Sequence, residues 1–178
     1  MQERNFYTDV RKSPMLEEII LDTNKITEIK TFVEKVITKK IKEAHHKIDR
    51  HNESKRWYTG LAGEAAVEQY LGVNFMDFTV GDSKNYFVSD MSKLGLSIGV
   101  KTVENEKYPI IHKKNMDPQI IVVKMSDSKF YICGISSPDV LNRYQDDNLI
   151  LSPSLKKKNT KTGFYGFKYL KYFCKNIL

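Results

Sequence analysis

The hydrophobic period of this chain changes once, at Gly72, and that change limits the folds open to it. From Thr23 or Asn24, each suited to cap a helix, apolar residues recur at helical spacing: Ile26, Ile29, Val33, Val36, Ile37, Ile41, Ala44 and Ile48. The spacing predicts a long amphipathic helix with lysines on its other face, ending in a break around "RHNES". A second helix is expected over "WYTGLAGEAAVEQYLGV" from Trp57, stopped by Gly72. Beyond it the runs are short, β-branched and aromatic: "NFMDFTV", "NYFVSD", "GLSIGVKTV", "YPIIH", "QIIVVKM" and "KFYICGI". Together these predict an α/β fold, a mixed central β-sheet flanked by helices, with the long helix toward the N-terminus.

Local signals refine that outline. "SDSK" separates Ile120–Met125 from Phe130–Ile135 as the turn of a hairpin. Ser and Pro at the head of "SSPDVLNRY" start a short helix. Residues 1–22 show no clean period and contain Pro14, so they are expected to form an extended arm with at most a short helix near Met15 to Ile20. A chain of 178 residues suits one domain spanning 1–178. No apolar stretch approaches the roughly 20 residues that cross a bilayer, and the first residues lack a signal-peptide core. The expectation is a cytoplasmic protein with no membrane partner. Cys133 and Cys174 lack C-x-x-C spacing and read as buried free thiols.

The net charge of +7 favours a polyanionic partner, because each neutralised phosphate releases condensed counterions. Candidate phosphate contacts are His112, Lys113 and Lys114 after a short apolar strand, and Lys55 and Arg56 ahead of the second helix, with His46, Lys47 and Arg50 nearby; a solvated basic surface explains them equally well. His45 and His46 are adjacent, so they do not form the i, i+4 metal pair. In the tail "KTGFYGFKYLKYFCKN", Phe167 and Phe173 read as core, and Tyr165 stays open between packing and base stacking. The absence of a phosphate-binding glycine loop, a G-x-G-x-x-G turn and a G-x-S-x-G elbow leaves NTPase, dinucleotide and serine-hydrolase chemistry without an anchor.

The chemistry concentrates in "SDMSKLGLSIGVKT". Strand alternation sets Ser97, Gly99 and Lys101 on one face and Ile98, Val100 and Thr102 on the other. If the strand ending at Asp90 pairs with this one, Asp90 and Lys101 converge at one end of the sheet, within reach of Glu64 on the second helix. Gly60 and Gly63 flank Glu64 and permit close approach of another backbone, whereas Glu68, one turn later, reads first as a solvated charge. Carboxylates that hold a hard cation, beside an ammonium that offsets developing charge, are what phosphodiester hydrolysis requires.

The order of these parts resembles the PD-(D/E)XK, or restriction-endonuclease-like, nuclease superfamily over roughly Tyr58 to Ile135. The resemblance implies a restriction-endonuclease-like core and a metal-dependent endonuclease or exonuclease hydrolysing DNA, with Mg2+ as cofactor and Mn2+ as a substitute. It implies Asp90 as the central metal-binding aspartate, Lys101 as the catalytic lysine, Glu64 as the helical glutamate of the metal shell, and Val100 as donor of a backbone carbonyl. It also suggests a phage-like or mobile-element setting in a bacterial cell or phage-infected host, and a homodimer where both strands of a duplex are cut. Gly99 departs from the pattern, standing where the strand acid belongs. Either the acid comes from elsewhere, with Glu64, Glu68 or Glu104 as candidates and Glu104 disfavoured by alternation, or the fold serves as a catalytically inactive DNA-binding or protein-interaction (inhibitory) module. Metal dependence separates the two.

Overall fold

The apolar runs beyond Gly72 reach one another through a central strand that is buried on both faces. In β4 (Gln119–Lys124), Ile120, Ile121, Val122 and Val123 all lie in the core, which is why this run reads as continuous rather than alternating. The structure, a computed structural model, describes residues 4–41, 50–79 and 88–174. In it β4 pairs antiparallel with β5 (Lys129–Ser136), forming the expected hairpin, and parallel with β2 (Gly99–Glu104). β1 (Glu17–Ile20) adds to the far side of β5, so the mixed sheet runs β1-β5-β4-β2.

Two helices cover one face. α2 (Thr23–Ile41) and α3 (Arg50–Leu71) bury Ile29, Val33, Val36, Ile37, Ala62, Ala65 and Ala66 against Ile120, Val122, Phe130 and Ile132. α3 stops at Gly72, whose φ of +71° is the left-handed conformation that glycine adopts without a Cβ penalty. A parallel pair requires the chain to cross over between its strands, and the segment joining β2 to β4 carries β3 (Ile110–His112) into a second sheet. That sheet runs β3-β7-β6, with β6 at Gln145–Asp146 and β7 at Lys161–Phe164. The other face of the main sheet meets it through Val103, Ile121, Val123, Cys133, Ile111, Phe164 and Phe167. Two short helices flank it, α4 (Pro138–Arg143), capped by the Ser137 side chain as expected, and α5 (Pro153–Lys158).

Several expectations are corrected. The N-terminal arm is built into the fold: a helix at Phe6–Val10, which is α1, docks Phe6 and Val10 into the second core, and Met15 to Ile20 holds strand β1 instead of a helix. "RHNES" is helical as the first turns of α3, where Glu53 pairs with Arg56 one turn on. "NFMDFTV" forms no strand over Asn74–Thr79. Of "NYFVSD", residues 85–87 lie outside the described residues, as do the continuation of α2 through Ala44 and Ile48 and the residues His45, His46 and Lys47; Asp90 sits in a turn and not at a strand end. Cys133 is buried, but Cys174 is exposed. Phe167 and Phe173 pack in the core, and Tyr165 lies under the Arg4 guanidinium, 3.5 Å from the ring centroid. Among the described residues no helix is long and apolar enough to cross a membrane.

Candidate active site at the edge of the main sheet

α3 lies on β2 at a contact only glycine allows. A Cβ on Gly63 would overlap Thr102 Oγ1, so the helix backbone rests directly on the Thr102 side chain. Thr102 therefore faces α3, with Val100 beside it in the helix-side core, while Val103 belongs to the opposite core; Lys101 projects to that opposite face, as alternation requires. The close approach brings Glu64, the next residue of α3, to the sheet's edge strand. Gly60 leaves open space one turn earlier, in a shallow depression lined by Arg56, Trp57, Leu61 and Glu64.

Asp90 reaches the same edge from the loop. Gly99 N–H donates inward to the Pro118 carbonyl beside β4, so the Val100 N–H points off the outer edge, where it donates to Asp90 Oδ2 at 2.6 Å. The carboxylate thus caps an edge donor that no described strand satisfies. By the same strand geometry the Val100 carbonyl points off that edge too. The loop is closed on itself by Met91 N–H to the Ile98 carbonyl and by Ser89 Oγ to the Leu96 carbonyl.

The electrostatics link these groups. Burial, and then the nearby Asp90 and Glu68 charges, push Glu64 up to about 8. Burial also raises Asp90, against the opposing pull of the Val100 hydrogen bond and the Lys101 charge. Lys101 falls to about 8, chiefly through burial and secondarily through Lys161, with Asp90 opposing and Arg56 adding. Asp90 thus stands between a second raised carboxylate, Glu64, and the Lys101 ammonium, with neither carboxylate in an ion pair among the described residues.

The other expected site residues divide. Glu68 is buried, but its Oε1 accepts the Phe75 and Met76 N–H groups at 2.5 and 2.6 Å, tying down the chain after α3. Glu104 faces α3 and pairs with Lys55 and Lys107 at 3.0 and 2.7 Å. Lys55 is thereby engaged, as is Arg56 with Glu53, though both are exposed at the α3 end near the depression. Lys113 is held by Asp147 and Asn159, whereas Lys114 and His112 are exposed. His112 is held below its usual range by burial and by Lys161 and Lys101, which places it in the same field.

Two residues of this region escape sequence reasoning. Lys161, inside the lysine-rich stretch read as a turn, begins β7 opposite His112; burial, followed by Arg56 and Lys158, lowers its ammonium. Gln119 stands opposite Gly99 in the parallel register, with its carboxamide where a residue-99 side chain would project. The only signal for Gln119 is a lone polar residue heading an apolar strand; nothing local marks Lys161.

The oxygen donors at this edge are the Asp90 and Glu64 carboxylates and the outward Val100 carbonyl, groups of the kind a hard divalent cation accepts. Among the described residues no group of three His, Cys, Asp or Glu side chains converges, so the set has one carboxylate fewer than such a group would supply. No family model, curated protein or solved structure matches the chain.

Proposed function

We propose that this chain is a divalent-metal-dependent nuclease that hydrolyses phosphodiester bonds in DNA, built on a PD-(D/E)XK-like core. The observation that carries the reading is Asp90, held at the sheet edge by the Val100 N–H and electrostatically linked both to Glu64 on the helix side and to Lys101 on the opposite face, with both carboxylates raised by burial and without an ion-pair partner among the described residues. Unrelieved crowding of this kind costs stability and is characteristic of functional sites. Glu64, Asp90 and the Val100 carbonyl would hold Mg2+, or Mn2+ in its place. The ion, when bound, polarises the phosphate and lowers the pKa of a coordinated water.

The chain's own groups account for the rest. Lys101, lowered to about 8 chiefly by burial, would accept a proton from an attacking water in its neutral form, and its charged form would offset charge on the phosphorane oxygens. Asp90 is oriented by the Val100 N–H, which leaves its second oxygen for another partner. Lys161, Arg56 and the exposed Lys114 supply positive potential for the DNA backbone, in line with the net charge of +7.

The test is cleavage of linear duplex, single-stranded and branched DNA with Mg2+ or Mn2+ by the native protein, Asp90→Ala and Lys101→Ala. Breaks made by the native protein and lost in both variants support the reading. Salt-sensitive binding with no breaks by any of the three would mean an inactive DNA-binding module instead.

A further inference from the structure

We infer that the Gln119 carboxamide supplies, from the neighbouring strand, the oxygen that Gly99 cannot. Gly99 and Gln119 are in-register partners of the parallel pair, so their side-chain directions point to the same face of the sheet. That face is the one Lys101 uses: Ile121 and Val123 follow Gln119 on it, and Val103 follows Lys101. A Cβ added at Gly99 would lie 2.5 Å from Gln119 Oε1, 2.7 Å from Nε2 and 2.9 Å from Cδ. The amide therefore fills the volume into which an acid at position 99 would extend, two residues before Lys101.

The absence of a side chain at Gly99 is what admits the amide, so the two positions form a matched exchange. Gln119 is partly buried, and its carboxamide makes no hydrogen bond among the described residues. Its carbonyl oxygen is a ligand type that hard divalent cations accept, but it carries no charge. A site with two carboxylates and one amide holds such a cation more weakly than one with three carboxylates. The remaining charge complement would come from the phosphate oxygens of the substrate, which would make retention of the ion depend on bound DNA.

This inference rests on the metal-site reading of Glu64 and Asp90, and the experiment keeps the two apart. Mn2+ binding would be measured by titration calorimetry and electron paramagnetic resonance on the native protein, Gln119→Glu, Gln119→Met and the double variant Gly99→Glu with Gln119→Gly, each checked for folding by circular dichroism. Gln119→Met preserves length and removes the oxygen. We expect Gln119→Glu to tighten Mn2+ binding at least tenfold, Gln119→Met to weaken it at least fivefold, and the double variant to bind at least as tightly as native. If the native protein binds Mn2+ and both single substitutions at 119 leave the affinity within twofold, the role of Gln119 is overturned and the metal site stands. If the native protein binds no Mn2+ with or without DNA, both fall. Failure of Gln119→Met to fold would leave the decision to Gln119→Glu and the double variant, whose affinities decide it in the same way.

Discussion

Replacing Glu64 by glutamine should stabilise the metal-free protein, and the gain should depend on pH. The Glu64 carboxyl moves from 4.5 in the unfolded chain to about 8 in the fold, driven first by burial and then by Asp90 and Glu68. Because the folded state keeps its proton longer, it binds more protons than the unfolded state between those values, and stability falls as pH rises through that window. At ~1.4 kcal/mol per pH unit the full span corresponds to roughly 4–5 kcal/mol. Sharing with Asp90 and screening through the carboxyl's opening to solvent leave about 2–3 kcal/mol for Glu64 itself. A glutamine side chain has the same shape and no charge to desolvate, so at pH 8 in EDTA the Glu64→Gln variant should melt about 5–10 °C higher than native. At pH 4.5 and below the two should be nearly equal. The assay is thermal unfolding followed by circular dichroism across this range, with and without Mg2+. Added Mg2+ should raise the native melting temperature and leave the variant's nearly unchanged, because a ligand stabilises only the state that binds it. A variant that melts lower than native at pH 8 in EDTA would refute the reasoning, since Glu64 would then be contributing a favourable interaction.

Other substitutions test the packing that sets the site. Gly63→Ala should destabilise by about 1–3 kcal/mol despite the helix propensity gained, because its Cβ would collide with Thr102 Oγ1. Gly60→Ala, with nothing within 4 Å of the new Cβ, should instead stabilise by about 0.5–1 kcal/mol; urea denaturation of the pair should show opposite signs. Glu68→Ala should cost about 2–4 kcal/mol in the same assay through loss of the acceptor for the Phe75 and Met76 N–H groups, whatever metal is present.

What local pattern can carry is legible in the sequence: α2 from its 3–4 spacing, α3 with its stop at Gly72, the β4–β5 hairpin from its turn, and the faces of β2 from alternation. Of the two glycines expected to let another backbone approach beside Glu64, Gly63 lies against the Thr102 side chain, while Gly60 faces open space. The features that escape such reading depend on distant partners. β1 carries Glu17 and Glu18 toward solvent and becomes a strand only because β5 offers it an edge, more than a hundred residues later. β3 and β7 are three and four residues long, and each is ordered by the other. Glu68 reads as a surface charge because the chain that folds back onto it cannot be seen in helical spacing. Gln119 shows only as a lone polar residue heading an apolar strand, because a parallel register between strands separated by a crossover leaves no further mark in either strand.

The central claim is met most directly by single-turnover cleavage of plasmid DNA at excess enzyme, comparing native protein in Mg2+, native protein in EDTA, and Asp90→Asn in Mg2+. The account predicts nicks or breaks in the first reaction alone, since both the ion and the carboxylate that would hold it are needed. Cleavage that persists in EDTA or in Asp90→Asn, or intact plasmid in all three reactions, would contradict it.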